Sequence, residues 1–598
     1  MRVLGLTTEG DSGATVVEDG RLLAAVNEER LSRLKLVVGV PRSAIREVLE
    51  ISSTSPADLD DVLIASRWDT IVDELEPFDG WFQGIENGTA TLRKRLAGQL
   101  APYRNVLPFL EWGYYGMQMP GFMHRRRALQ RILRDEFGID APVRFVDHHF
   151  CHLTSAYFTS GFDDALVVSV DGGGDGKSAR VYAVRGGRWE ELASTSAYNS
   201  LGNYYAYVTH ISGFKAQKHE GKITGLAAHG EPRYVPLLKT FIDEEAGRFV
   251  NRGNVAFHSA LEKLERSLPS GWTREDLAAS IQRHFEDLAA RFVRHWARKT
   301  GLRSVALAGG VFANVRVNQV IHELPEIDRV FVHPHMGDGG LGGGAAFAAC
   351  VPGNAEHVMS RDPEPLEDVY LGPDLSESEI GAALREAGLT PETHEGSLAD
   401  RIADLLCEGY VVARAAGRME YGPRALGNRS ILYHPTDRKV NDWLNHNLNR
   451  TEFMPFAPST LYEERERCFE RVAGAEHTAE FMTVTFDSTP WMRANLSGVV
   501  HIDGTARPQL VRRDRNPDYY AIIEAFRQRT GLPAIINTSF NMHEEPIVCT
   551  ARDCVTAFLE GNLDYLAIGD HLVKHPAGIT HELVPVTPAR GFETVRCR

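Results

Sequence analysis

Twice in its first third the chain runs an apolar strand into a turn of acids and glycines, then back along a second strand. The first copy is Val3 to Thr7, then Glu9-Gly10-Asp11-Ser12-Gly13, then Ala14 to Glu18. The second is Ala165 to Val170, then Asp171 to Lys177, then Arg180 to Val184. In the first copy Asp19-Gly20 supplies a tight hairpin turn, since this pair accepts the positive φ angles such a turn needs, and Leu22 to Val26 forms a third strand. Two copies of one strand–turn–strand unit predict a duplicated mixed α/β core with a nucleotide in the cleft between its halves.

Between the copies stands Asp147-His148-His149-Phe150-Cys151-His152. Asp147 as N-cap and Gly161 as stop predict a helix here. His148 and His152 share one face, continued by Ser155 and Thr159, while Phe150, Leu153 and Tyr157 lie opposite, on the side expected to pack inward. Two imidazoles at this spacing can share a metal with a carboxylate as third ligand. Spacing alone leaves that reading and a pair of surface histidines both open.

A chain of 598 residues is expected to form several domains. Its net charge of −15 argues against a large nucleic-acid footprint. No apolar run approaches the roughly 18–20 residues that cross a bilayer, and acids at Glu9 and Asp11 make the start unlike a secretory signal. Seven scattered cysteines without a Cys-x-x-Cys pair suggest reduced thiols in a cytoplasm.

Residues 68 to 140 read as a helical insertion rich in aromatics, among them Trp68, Trp81, Tyr103, Trp112 and Phe122. Such an insertion packs on itself or a second subunit, or else walls an acceptor pocket. Arg125-Arg126-Arg127 reads as a solvated helix face. Val305 to Ala308 is a buried-type strand that runs into Gly309-Gly310, which lets backbone approach a nucleotide closely. Val330 to Val332 leads into the Asp338 loop, where an acid among glycines suits a metal or phosphate contact, or a plain Asx turn. Val351 to Asp374, proline-rich and acidic, reads as an interdomain linker. Beyond it Leu398, Ile402, Leu405 and Leu406 mark a helix with Ser397 as cap and Gly409 as stop, followed by strand Tyr410 to Ala415.

Arginines then gather in glycine-bearing turns: Arg418, Arg424 and Arg429 between Gly417 and Ser430, Arg450 before Thr451, and Arg507 before Pro508. Asn537-Thr538-Ser539-Phe540-Asn541 adds hydroxyls and amides. The planar guanidinium suits phosphate and carboxylate oxygens, so these turns could cradle a small, highly anionic ligand. The alternative is a structural ion-pair network with Glu420 as partner.

With these stretches in view the chain resembles the O-carbamoyltransferases of the NodU/CmcH family over nearly its whole length. The resemblance rests on the His148/His152 stretch, the Asp171 glycine loop, Glu220 to Ala227, Ala308 to Asn314, the Asp338 loop, Gly422 to Ser430 and Asn537 to Asn541. It implies an actin/hexokinase-like (Kae/TsaD-like) amino-terminal domain over residues 1–355, with the helical insertion near 68–140, and a YrdC-like α/β domain over 356–598. It implies ATP and Mg²⁺ as co-substrate and cofactor, with carbamoyl phosphate and ATP forming carbamoyladenylate. The carbamoyl group would then pass to a hydroxyl of a small molecule, such as a secondary metabolite or glycoside, as in antibiotic biosynthesis. Carried over by motif, His148, His152, Asp171 and Asp338 would hold a divalent transition metal, often iron in the family. Gly172, Gly173, Gly309, Gly310 and Asn314 would face the nucleotide. Arg418, Arg424, Arg429, Arg450, Arg507 and Ser539 would hold carbamoyl phosphate and the ATP phosphates. The resemblance implies a homodimer, while thiols, charge and hydropathy lead to the expectation of a cytoplasmic protein without nucleic-acid or membrane partners.

One departure stands out. Many family members read His-Asp-Ser after the first strand, where this chain reads Gly10-Asp11-Ser12, so either Asp11 or another group assists deprotonation of the acceptor, or a metal-bound acceptor hydroxyl needs little help. Two other readings keep the nucleotide sites: a tRNA threonylcarbamoyl-type transferase, and a nucleotide-switched interaction protein without catalysis.

Overall fold

The computed structural model describes residues 1–69, 75–78, 82, 109–356, 358–359, 362–393, 396–448, 453–579 and 581–592. The chain is mixed α/β and divides into two compact units, Met1–Glu28 with Leu36–Leu366, and Glu29–Lys35 with Glu367–Arg598.

The first unit holds two five-stranded sheets. One is built from β1 (Arg2–Thr7), β2 (Gly13–Glu18), β3 (Arg21–Asn27), β4 (Asp61–Ala65) and β5 (Val143–Val146), in the order β3-β2-β1-β4-β5. The other is built from β6 (Ala165–Gly174), β7 (Lys177–Arg185), β8 (Arg188–Ser196), β9 (Ser304–Ala308) and β10 (Arg329–Val332), in the order β8-β7-β6-β9-β10. The first three strands of each sheet pair antiparallel and the remaining contacts are parallel, so strand order and direction coincide. Even the hairpin turns between the second and third strands agree: Asp19 and Gly20 have φ of 46° and 77°, Gly186 and Gly187 have 52° and 74°.

The glycine-rich stretch after Val170 differs from its expected form as a turn. Strand β6 continues to Gly174 with its ladder interrupted after Val170, and only Asp175-Gly176 turns. The reason is packing: a Cβ at Gly174 would overlap the His148 ring.

The expected histidine helix spans His148–Phe158 (α1), with the Asp147 side chain capping it by accepting the Phe150 N–H at 2.9 Å. Such a cap contributes about 1 kcal/mol. All residues of α1 are buried, the histidines included, so neither face is a surface. A second helix, α2 (Leu341–Phe347), packs on α1 and on β1 through glycines. A Cβ at Gly5 would overlap the Gly342 carbonyl, and one at Gly344 would overlap the Cys151 carbonyl.

Part of the expected insertion appears as a helix over Phe109–Phe137. Trp81 and Tyr103 lie outside the described residues. Arg125 corrects the expectation of a solvated arginine face, for it is 1% exposed. Its guanidinium donates to the Ala65 and Ser66 carbonyls, left open where β4 ends, and to Thr8 Oγ1. Asp69 at 3.3 Å balances the charge. No helix among the described residues is long and apolar enough to cross a membrane.

The second unit centres on a seven-stranded sheet of β11 (Val412–Ala415), β12 (Arg429–Tyr433), β13 (Ala457–Leu461), β14 (Gln509–Val511), β15 (Ala534–Ser539), β16 (Tyr565–Ile568) and β17 (His571–Lys574). Their order is β14-β13-β15-β12-β11-β16-β17. Helices Leu398–Glu408 and Pro517–Thr530 pack on each other, the first capped by Ser397 and ended by Gly409 at φ 91° as its sequence predicts.

The chain's last described stretch is tied to this unit by histidines. His581 Nε2 lies 2.8 Å from Asp564 Oδ2, and His434 Nε2 donates to the Val584 carbonyl at 2.7 Å. His434 Nδ1 accepts from Thr436 Oγ1 at 2.9 Å, so both ring nitrogens are engaged in the neutral form. Burial pushes the His434 pKa down to about 4, against about 6.5 for an unfolded histidine. Below about pH 6.5 the unfolded chain binds a proton that the folded chain refuses, so stability falls as pH drops toward 4, by at most ~1.4 kcal/mol per pH unit. Urea unfolding near pH 7 and near pH 5 checks this. The wild type should lose more stability between the two than His434→Gln, and equal losses would refute the assignment.

Candidate metal centre

Four side chains from three stretches of the first unit converge: His148 and His152 one helical turn apart on α1, Asp171 near the end of β6, and Asp338 on the loop after β10. One ligand atom from each lies within 4.8 Å of all the others. His152 Nε2 is 3.0 Å from Asp171 Oδ2 and 3.6 Å from Asp338 Oδ1. His148 Nε2 is 3.8 and 3.7 Å from the same two oxygens, beyond hydrogen-bond reach.

Each member is oriented by a second contact. Asp171 accepts the Gly172 N–H at 2.5 Å on one oxygen and the Gly310 N–H at 3.2 Å on the other. His148 Nδ1 faces Glu9 Oε2 at 2.7 Å and Ser66 Oγ at 3.2 Å, which turns Nε2 toward the two aspartates. Asp175 accepts the backbone N–H groups of His148, Arg67 and Trp68, joining the start of α1 to the chain beyond β4.

Buried carboxylates dominate the electrostatics here. Burial disfavours the charged form of His148, yet the Glu9 and Asp171 carboxylates outweigh it and hold its pKa well above the usual range. Burial likewise opposes ionisation of Asp171, but the two imidazoles beside it hold it well below the carboxylate range. Asp338 is raised by burial and by Asp171 beside it. Two imidazoles and two carboxylates form a donor set that suits iron, zinc or manganese. The fit also shows in His148 Nε2, which is buried, hydrogen-bonded to nothing and directed at the aspartates.

Asp11 stands next to this cluster. Its φ of 67° places a non-glycine residue in the left-handed region, a form of strain that gathers at functional sites. Asp11 Oδ2 is 3.2 Å from His335 Nε2, which also faces Asn27 Oδ1 at 3.1 Å, while Asp11 Oδ1 is buried without a partner. A Cβ at Gly10 would meet a single atom, Asp338 Oδ2 at 3.7 Å.

The other expected residues are placed as follows. Gly172 and Gly310 point their N–H groups at Asp171, and Gly309, at φ 105°, donates to the Met336 carbonyl at 2.7 Å. A Cβ at Gly173 would meet Ala197. Asn314 caps the Val315–His322 helix and exchanges hydrogen bonds with Gln282. In the second unit Arg429 is fully buried and donates to the carbonyls of Ala416, Gly417 and Asn428. Arg418 donates to those of Leu371 and Gly372. Glu420 Oε1 accepts the N–H groups of Leu426, Asn428 and Arg429. Arg424, Arg507 and Ser539 are half-buried, and Ser539 pairs with Ser430 across β12 and β15. Arg450 lies outside the described residues.

Sequence reasoning passed over Ser66 and His335, and took Glu9, Asp175 and Asn537 only as members of turns. Glu9 carried a signal, as an acid just after β1 where the second copy has Asp171 just after its apolar run. Asn537, inside an apolar strand, carried another: its Nδ2 reaches the Ala425 carbonyl, Ser459 Oγ and Gln509 Oε1.

Family comparison gives two matches, "Carbamoyltransferase N-terminus" over residues 2–350 and "Carbamoyltransferase C-terminus" over residues 403–575. Nodulation protein NolNO of Sinorhizobium fredii is 33% identical over 94% of this chain and 79% of its own. Nodulation protein NolO of Bradyrhizobium diazoefficiens is 35% identical over 73% and 80%. An uncharacterized protein of Synechocystis is 29% identical over 95% of both chains.

Metal analysis tests the quartet directly. Protein loaded with Fe²⁺, Mn²⁺ or Zn²⁺ should retain about one ion per chain after desalting, and His152→Ala should weaken retention by about 100-fold or more. Equal retention by the variant would remove His152 from the ligand set.

Proposed function

From the membership of this chain in the carbamoyltransferase family, we propose that it is an ATP-dependent O-carbamoyltransferase acting on a hydroxyl of a small molecule. The carboxy-terminal unit, on this reading YrdC-like, activates the carbamoyl group. Water releases phosphate from carbamoyl phosphate, and the resulting carbamate oxygen attacks the α-phosphorus of ATP, displacing pyrophosphate and leaving carbamoyladenylate. Arg424, Arg507 and Ser539 neutralise and orient the anionic reactants, in turns that Arg418 and Arg429 stiffen through carbonyl contacts. The amino-terminal unit transfers the group. Its two sheets of identical strand order are the halves of an actin/hexokinase-like core, and Gly172 and Gly310 keep backbone close to the adenylate.

The observation that carries this reading is the convergence of His148, His152, Asp171 and Asp338, with His148 Nε2 buried and unpaired among them. A divalent ion held there would supply Lewis-acid chemistry, polarising a carbonyl and offsetting charge on a leaving group. The residues themselves do the rest. The acceptor oxygen attacks the carbamoyl carbon as the bond to the AMP phosphate oxygen breaks. Asp11 Oδ1 takes the hydroxyl proton while His335 holds the other oxygen of Asp11 in place. Burial of the cluster keeps water, the competing nucleophile, away from the activated group.

The test is mass spectrometry of reactions holding carbamoyl phosphate, ATP, Mg²⁺ and a panel of polyol metabolites. A carbamate mass gain on an acceptor, with pyrophosphate and AMP released, is the expected outcome. His152→Ala should keep pyrophosphate release and lose transfer by about 100-fold or more, whereas Arg507→Ala should lose both. Absence of pyrophosphate with the wild type would end the proposal.

A further inference from the structure

Seven residues of the amino-terminal sequence, Glu29–Lys35, belong by their contacts to the carboxy-terminal unit. They follow β3 directly and continue a one-turn helix, Glu28–Ser32. What they touch is specific. Arg30 is 6% exposed and donates through Nη2 to the Gly422 carbonyl at 2.8 Å. Gly422 lies in the turn that carries Arg424 and is closed by Glu420. Arg33 donates to the carbonyls of Ile547 at 2.7 Å and Pro546 at 2.9 Å, with Asp553 at 3.7 Å as counter-charge. Residues 546–548 close the turn that carries Ser539, since the Val548 N–H donates to the Phe540 carbonyl at 2.9 Å. Between the two arginines Leu31 packs against Met419, Ala425, Ile547 and Cys549, which come from the same two turns.

We infer that Arg30 and Arg33 are positioning residues of the carbamoyl-activating site, setting the distance between the Arg424 turn and the Ser539 turn; this rests on the proposed activating role of the carboxy-terminal unit. Three observations favour that over a mere tether. Both arginines act on loop carbonyls, where their planar forks fix position and direction together. Both turns are gripped by one short segment, so neither can shift without straining the other. The segment itself is held in strained backbone at Arg33, whose φ of 61° persists only where surrounding contacts demand it. An anionic co-substrate bound between two turns is sensitive to their separation, because misplacement of about 1 Å can cost 100-fold in rate or affinity.

The full-length protein, loaded with metal, tests this through pyrophosphate release against carbamoyl phosphate concentration. Arg30→Ala and Arg33→Ala should each raise the KM for carbamoyl phosphate about tenfold, with a smaller change in kcat and unchanged metal content. Arg30→Lys, which keeps the charge and loses the fork, should show a smaller KM increase of about threefold, and it decides the matter if Arg30→Ala does not fold. Wild-type KM in Arg30→Lys and Arg33→Ala, while wild-type protein releases pyrophosphate normally, would overturn the inference and leave the proposed function standing. No pyrophosphate from the wild type would overturn both.

Discussion

The carboxylate of Asp171 holds the first unit's site together. It accepts backbone N–H groups from Gly172 and Gly310 and faces both imidazoles of α1, so it joins the end of β6, the residue pair after β9 and the helix. A buried carboxylate without such partners costs several kcal/mol, more than most single side chains contribute to stability. The surrounding sequence answers that cost. Glycines flank the acid because N–H groups must come within hydrogen-bond distance of it and because β6 must pass flat against the His148 ring. Glu9 then turns His148 the right way round from the other sheet. The geometry of the quartet is therefore a property of both sheets and not of the helix that carries the histidines.

This explains what could be read from sequence and what could not. The hairpins and α1 were legible because Asp-Gly turns, capping aspartate and apolar runs act within a few residues of themselves. The His148/His152 pair was legible as a spacing, and Asp171 and Asp338 as acids in glycine turns. Burial of α1 on every side was not, since it depends on α2, whose glycines let it approach the Cys151 carbonyl from nearly 200 positions away in the chain. The Glu9–His148 contact spans 139 positions and leaves no periodic trace. Arg125 misled in the opposite direction: three consecutive arginines suggest a wet face, but the end of β4 presents carbonyls that only a buried donor can satisfy.

In the second unit the same chemistry makes arginines ambiguous. A guanidinium in a glycine-bearing turn is suited to a phosphate, and equally suited to the carbonyls that a turn exposes on its inner side. Arg418 and Arg429 point to carbonyls in the structure. Nothing in their flanking residues separates them from Arg424, because the deciding factor is which way the turn folds around Glu420. That carboxylate gathers three N–H groups from one side of the turn and sets its curvature. Glu420, which the sequence offers as an arginine's partner, is met on one oxygen by backbone donors nearer in sequence.

The position of Glu29–Lys35 bears on how the two units depend on one continuous chain. Asn27, at the end of β3, donates to the carbonyls of Asp11 and Gly339 and faces His335, so it stands among the residues beside the quartet. Only Glu28 separates it from the segment that grips the Gly422 and Ile547 carbonyls. A carboxy-terminal unit severed before residue 367 would lack these seven residues and with them the contacts to the Gly422, Pro546 and Ile547 carbonyls. An amino-terminal unit severed there would carry them with no surface to bury Leu31. The carboxy-terminal unit thus draws part of its fold from chain that continues the strand ending at Asn27, and a short segment given by one domain to another makes the second depend on the first where a simple linker would not.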